Sequence, residues 1–402
     1  MQQAHVSIIG AGLGGLCLAQ GFKRAGIAFD VYERDAAATS RGQGYRIRID
    51  ADGQEALSQC LPANLHALFR QSCGGARSVQ FLNCDLEQIE GRPARGWRTA
   101  AVESDPQPKA HDLSANRQTL REILLCGIED RVHFGQAFRR FERVGDGEVR
   151  VQFDDGEERI STLLVGADGV NSVVRGQLAP AAEPVDTGAV CIYGKTAATT
   201  ALRDSIGAAL CTGTSVIFAD GFAVILDPVL FPEPLPVLAA RLAPACRLNP
   251  VDDYLYWAFI GPRASLGVSV TGLPDQAHLT ALIEAITRTW HPRLRTLFAR
   301  GDANTLTILP VRSSPRAIAT WRPGPVTLLG DAIHAMSPAG GVGANTALRD
   351  AAVLARAAAN GPDLRQAVSR YEIAMREWAQ AAISASNDGA RRLFCAATIH
   401  EA

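Results

Sequence analysis

The phrase GAGLGG at residues 10–15 constrains this chain more than any other, because of what flanks it. It follows the apolar run 5–9, whose length and β-branched content suit a buried parallel strand, and it opens an apolar-periodic stretch, 13–25, that predicts a helix. Strand, tight turn and helix in that order make up the phosphate-holding half of a dinucleotide-binding βαβ unit. Gly10 permits the turn, Gly12 lets the backbone approach a pyrophosphate, and Gly15 allows close helix packing. The free N–H groups of the first helical residues, Leu13 and Gly14 among them, attract the phosphates. A second strand, 28–32, runs into Glu33 and Arg34, about 20 residues on, where such folds place an acid against a ribose hydroxyl. The context this fingerprint demands is met in full, which favours dinucleotide binding over a Gly-rich turn that merely packs.

At 402 residues the chain is long enough to bury a large core and to divide into about two domains. Its 47% hydrophobic content and net charge of −1 describe an ordinary globular protein with no charge-driven attraction to nucleic acid. The nine cysteines show no CxxC pair, so they read as small apolar residues in a reducing compartment, and no metal site is expected. No basic n-region precedes the first strand, and the most apolar later stretch, 224–242, is broken by Asp227, four prolines and Arg241. A cytoplasmic protein without a membrane span is expected.

Two further phrases repeat the logic of the first. GADGVNSVVR at 166–175 follows the strand-like run 162–167, so the turn Asp168-Gly169 falls at a strand's carboxyl end, where ligands of open α/β sheets gather. GDAIHAMSPAGGVGAN at 330–345 follows a buried-type strand, 325–329, and puts Gly340, Gly341 and Gly343 before a long helix over 344–359. That helix start, with Ala344 and Asn345, offers partial positive charge; plain helix capping is the alternative.

Between these phrases the chain has α/β texture. YRIRI at 45–49 alternates, placing Arg46 and Arg48 together on one face, either as an anion or substrate contact or as the solvated side of an edge strand. Helices are expected over 54–59 and 63–71, split by Pro62, and 90–109 reads as loop. Ser114, Asn116 and Arg117 stand at the start of an amphipathic helix, where an arginine either pairs with a phosphate or is merely exposed. Turns at 145–147 and 154–156 separate short strands of a meander. From 182 to 300, β-type runs at 190–193, 215–219, 222–226 and 254–260, a Pro-rich hinge at 227–236 and helices near 277–287 and 292–300 suggest a sheet-containing second domain.

The ordered set of three phrases resembles the class A flavoprotein monooxygenases of the para-hydroxybenzoate hydroxylase fold, over nearly the whole chain. The resemblance implies an α/β fold: a Rossmann-like FAD-binding domain with an interleaved β-sheet substrate domain and C-terminal helices. The corresponding division is 1–180 for FAD, with a substrate-domain insertion near 45–110; 181–300 for substrate; and 301–402 returning to the FAD domain. It carries FAD contacts onto Gly10, Gly12, Gly15, Glu33, Arg117, Asp168-Gly169 and Gly330-Asp331, the last touching the ribityl chain. Pro338 with Gly341 and Gly343 would shape the oxygen-reactive face of the flavin, the helix start at 344 aiming at its pyrimidine edge.

The implied chemistry is that of a single-component monooxygenase. NADPH or NADH reduces FAD, O2 is captured as a C4a-hydroperoxide, and one oxygen passes by hydroxylation or epoxidation to an aromatic or polyketide-like small molecule. Arg46 and Arg48 would orient that substrate. His334 is a candidate base, although a His in this phrase is more often structural. The thioredoxin-like extension of longer phenol hydroxylases is not expected here, and a monomer or homodimer is. Three alternatives stand beside this reading: a flavin halogenase, whose WxWxIP phrase is missing, YLYWAFIGP at 254–262 being the nearest text; a reductase or dehydrogenase acting on an isoprenoid-like substrate; and a non-catalytic flavoprotein that binds a small molecule.

Overall fold

A computed structural model describes residues 5–40, 45–75, 79–89, 111–145, 147–269, 272–361 and 363–395. Its central layer is a five-stranded, all-parallel sheet in the order β17-β11-β1-β2-β7, made of β1 (His5–Ile9), β2 (Ala28–Glu33), β7 (Val132–Phe134), β11 (Leu163–Gly166) and β17 (Val326–Leu328). Strands β1, β11 and β17 are buried and largely apolar, as parallel sheets require, while β2 and the edge strand β7 carry Asp30 and His133. Helix α1 (Leu13–Ala25) and helix α11 (Gly343–Asn360) pack against each other on one face, with α2 (Ala51–Cys60), α3 (Ala63–Gln71) and α4 (Arg117–Leu125) around them. The long α12 (Leu364–Cys395) braces the far edge: Tyr371 donates from its hydroxyl to the Leu328 carbonyl at 2.9 Å. Buried Glu372 accepts from Trp321 Nε1 at 2.8 Å and Thr327 Oγ1 at 3.0 Å.

The strands β8 (Phe138–Val144), β9 (Glu148–Phe153) and β10 (Glu158–Ser161) form the expected antiparallel meander. A small sheet of β3 (Arg46–Ile49), β6 (Leu113–Asn116) and β4 (Gly74–Gly75) sits across the cleft from a six-stranded one, β16-β12-β15-β14-β13-β5. The latter comprises β5 (Val79–Leu82), β12 (Val185–Ala197), β13 (Thr214–Ala219), β14 (Phe222–Val229), β15 (Tyr254–Pro262) and β16 (Thr307–Ser313). Side chains alternate along these strands, and the two faces differ in chemistry. Leu226, Leu255, Trp257 and Phe259 pack on α6 (Thr200–Ile206), α8 (Gln276–Thr287) and α9 (Pro292–Ala299). Ile225, Tyr256 and Ile260 face the cleft, near Tyr45. Helices α5 (Val173–Leu178), α7 (Leu235–Leu242) and α10 (Asp331–His334) complete the fold.

Two sequence expectations are corrected. The Pro-rich stretch 227–236 is no hinge: Asp227 to Val229 finish β14, and Pro236 lies in the first turn of α7, a position where a missing N–H costs nothing. Ser114 belongs to β6 rather than to a helix start, and Asn116 is the residue that caps α4, its Oδ1 accepting from Thr119 N at 2.9 Å. The large sheet also takes in β5, from the stretch near 45–110 expected to insert into the substrate domain, and β16, from 301–402. The expected loop at 90–109 lies outside the described residues.

Since Glu372 is the acceptor joining Trp321 and β17 to α12, Glu372→Ala should lower unfolding free energy by roughly 1–3 kcal/mol, the cost of stranding buried donors. Urea titration measures this; an unchanged midpoint would mean that α12 holds the sheet edge without it.

Candidate active site

At the carboxyl ends of the parallel strands, three turns meet. Gly10 has φ +108°, and a Cβ there would stand 2.4 Å from the Ala167 carbonyl oxygen; a Cβ on Gly15 would stand 2.1 Å from that of Gly10. The turns after β1 and β11 therefore touch, and only glycine fits between them. Gly12 is different: among the described residues nothing lies within 4 Å of where its Cβ would be, and it faces open space.

Three adjoining cavities make up a groove there. Cavities of about 350, 300 and 60 Å³ each count Gly12 and Arg117 in their walls. One arm runs past Gly10, Tyr32, Glu33, Arg34, Phe138 and Asp168. The small one lies against Glu33, Asp35, Gln118 and Arg121. The largest continues from Leu13, Gly14 and Gly15 past Gly330 and Asp331 to Pro338, Gly341, Gly343 and Ala344, and ends on Arg46, Arg48, Ile225, Tyr256 and Ile260. Sizes of this order suit organic cofactors and substrates.

The electrostatics vary along the groove. Helix α1 has no acidic residue in its first turn and no side-chain cap, so its free N–H groups and Arg117 face the middle of the groove, a setting for anionic phosphates. Glu33 is held in place by two backbone donors, Ala11 N at 2.8 Å and Asp35 N at 3.0 Å, which leaves lone pairs for a hydroxyl. Arg121, not singled out in the sequence, donates to the carbonyls of Ala11 at 2.9 Å and Ala38 at 2.6 Å; its position one helical turn after Arg117 was the available signal. Helix α11 also begins without a side-chain cap, and Gly343 and Ala344 present its N-terminus to the cavity.

Asp331 is exposed along the groove, with the turn after β17 and α10 packed close around it. Desolvation by that packing pushes its pKa up, against the opposing pull of His334 and Arg117. Asp168 lines the groove but spends its oxygens locally, accepting from Ser172 Oγ at 2.5 Å and from the Val173 and Val174 amides at 2.8 and 3.2 Å; it shapes the turn. Asn345 does not line the groove. It ties α11 to β3 by donating to the Arg48 carbonyl at 3.0 Å and accepting from Asp50 N at 3.1 Å. His334 is fully buried, 2.6 Å from the Asp350 carboxylate, and out of reach of the groove, so its role is structural. Burial alone would lower its pKa; Asp350 outweighs that and raises it.

Arg46 and Arg48 both line the cavity and are no solvated face. Each is paired: Arg46 with Asp227 at 2.7 Å, Arg48 with Asp112 at 2.7 Å. Neither partner was foreseen, since nothing in the local pattern links 46 to 227 or 48 to 112. Among the described residues no cluster of His, Cys, Asp and Glu is suited to a metal ion, eight cysteines are free thiols, and no helix is long and apolar enough to cross a membrane.

Comparisons with known proteins now bear on this geometry. An assigned FAD-containing monooxygenase of Photorhabdus luminescens, solved as a crystal structure, superposes with a TM-score of 0.81 at 31% identity, covering 98% of this chain and 100% of that one. The chain belongs to the FAD-dependent monooxygenases of the para-hydroxybenzoate hydroxylase fold. The family profile for an FAD-binding domain matches residues 275–386, the part that contains Gly330-Asp331 and the glycine loop. The dual O-methyltransferase/FAD-dependent monooxygenase elcB of Phaeosphaeria nodorum is 36% identical over 97% of this chain and 44% of its own length. The 6-methylsalicylate 1-monooxygenase atA of Aspergillus terreus is 26% identical over 98% of this chain and 83% of its own. The chain thus spans about half the length of the first of these relatives.

The groove fits FAD by its own construction. The open space at Gly12, the uncapped starts of α1 and α11, and a cavity sequence passing from ribose acid to apolar chamber match an adenine-bearing diphosphate joined to a flat ring. Asp331→Ala should weaken FAD retention by about tenfold or more, as expected for one lost charge-assisted hydrogen bond. Flavin absorbance after gel filtration reads this, and full occupancy would remove Asp331 from the site.

The raised pKa of His334 gives a second prediction. Its protonated form is favoured by folding, so the stability it contributes is complete below its ordinary value of 6.5 and is lost as pH rises through the folded value. The gap in urea midpoint between the native protein and His334→Gln should be widest near pH 6 and shrink by pH 9. A gap independent of pH would show that the charge contributes nothing.

Proposed function

We propose that this protein is a single-component FAD-dependent monooxygenase that uses NADPH or NADH and O2 to place one oxygen atom on an aromatic or polyketide-like small molecule. The observation that carries the reading is the row of cavities that share Gly12 and Arg117, from the Glu33 end to the chamber under the six-stranded sheet. A cofactor in the first part and a substrate in the last would meet beside Pro338 and Gly341. FAD, when bound, supplies the chemistry: NAD(P)H + H⁺ + O2 + RH gives NAD(P)⁺ + ROH + H2O.

The protein's own part is to hold and to exclude. The N-terminus of α1 and Arg117 hold the diphosphate, Glu33 the ribose and Asp331 the ribityl hydroxyls. The start of α11 stabilises negative charge on the reduced ring. Ile47, Ile225, Ile260 and Met336 keep water from the reacting atoms, while Arg46, Arg48 and Tyr256 orient the substrate. Among the described residues no side chain stands ready as a general base: His334 is withdrawn, and burial pushes the Tyr256 phenol far above its ordinary range. The substrate's own activating groups then direct where oxygen enters.

The test is the purified protein with NADPH or NADH, isotopically labelled O2 and a panel of phenols. Bound FAD, substrate-accelerated NAD(P)H oxidation and one labelled oxygen in the product are expected. Product without label would indicate a reductase or dehydrogenase instead. Binding without accelerated oxidation would indicate a non-catalytic flavoprotein, and a protein that takes up no FAD would overturn the reading.

A further inference from the structure

We infer that the chamber at the end of the groove selects a neutral, oxygen-bearing aromatic and discriminates against a carboxylate, because Arg46 and Arg48, the cations facing it among the described residues, are already paired with carboxylates of the protein. The inference rests on the proposed function only for which end of the groove receives the substrate.

Arg46 and Arg48 would ordinarily mark a site for an organic acid. Here Arg46 is committed. Its guanidinium lies 2.7 Å from Asp227 Oδ2, and its Nε donates to Ser114 Oγ at 3.0 Å. Asp227 is 1% exposed and accepts also from Ser114 Oγ at 3.0 Å and Thr214 Oγ1 at 2.7 Å, so it is fixed as an anion within the sheet. For Arg46 to turn to a substrate carboxylate, it would have to strand that buried charge. Arg48 repeats the arrangement with Asp112, each side chain being 13% exposed. Asp50, the cap of α2, stands behind Arg48 and adds no positive charge. Lys195, on the same sheet, lies over the rings of Tyr45 and Tyr254 and is not part of the chamber wall. Arg117 and Asp331 oppose each other at the cofactor end.

What remains in the chamber is a set of neutral interactions. Ile47, Ile225 and Ile260 supply apolar surface, and the Tyr256 hydroxyl lines the wall with no hydrogen bond among the described residues. The remaining guanidinium N–H groups can donate to a phenolic or keto oxygen without a net charge to attract an acid. An anionic ligand would lose its hydration and meet no unpaired cation of β3 among the described residues, whereas a phenol would find both donors and an aromatic-sized apolar slot.

The experiment compares a dihydroxynaphthalene with the dihydroxynaphthoate that differs only by a carboxylate. Binding is read at pH 7.5 by tryptophan fluorescence, with and without added FAD, so that the result does not depend on flavin turnover. The neutral compound should bind about tenfold or more tightly. Asp227→Asn frees the charge of Arg46 and Asp112→Asn that of Arg48; either should improve naphthoate binding severalfold while leaving the neutral compound within about twofold. The second variant covers the case in which the buried first one fails to fold. Equal or tighter naphthoate binding by the unaltered protein, no binding of either compound, or variants whose preference does not move would each overturn the inference. A protein that shows the neutral preference but takes up no FAD would overturn the proposed function and leave this preference standing.

Discussion

The architecture of the groove hangs on one buried carboxylate. Asp350, fully enclosed on α11, accepts from the Gly330 amide at 2.9 Å, from Trp378 Nε1 at 2.9 Å and bonds His334 Nε2 at 2.6 Å. Those partners belong to the turn after β17, to α12 and to α10. Helix α10 is four residues long and cannot sustain its own conformation, so the position of Asp331 is imposed from outside. The same region is packed to contact: a Cβ on Gly14 would stand 2.8 Å from Leu329 and 3.3 Å from Ala347. Asp350 thereby converts helix packing at the back of the sheet into the placement of a carboxylate at the front.

What could be read in the chain follows from how far apart the cooperating residues are. The glycine turn at 10–15, α1, and the small helices on either side of Pro62 are consequences of neighbouring residues, and spacing reveals them. The capping of α4 by Asn116 rather than a residue earlier depends on β6 pairing with β3, and hydrogen-bond competition of that kind leaves no local trace. Prolines at 228 and 236 suggested a break because proline usually ends an element; one instead completes β14, and the other enters α7 where no N–H is needed. The arginines of β3 were legible as a pair on one face, but their carboxylates arrive from β14 and from the residue before β6, and only the tertiary fold brings them together.

The roles of Asp168, Asn345 and His334 show the same limit in another form. All three stand in motif phrases, and in all three the side chain is consumed by backbone or carboxylate partners near the groove. A polar residue in a motif is as often the support of a turn as the contact made by it, and the two cannot be told apart until donors and acceptors are counted. Arg121, which lies outside any motif phrase, approaches the groove more closely than Asn345 does.

The two ends of the groove treat charge in opposite ways. Around Gly12 the protein presents the uncapped start of α1 with Arg117 close by, a setting that suits an anionic diphosphate. Under the six-stranded sheet it spends a buried carboxylate on each arginine. A chain whose charges nearly cancel, at −1 overall, can bind an anionic dinucleotide without a basic surface because the positive potential is focused where backbone amides converge. Pairing the arginines at the far end has a further consequence: it leaves the Gly12 end, where backbone amides converge, the more favourable place for an anion.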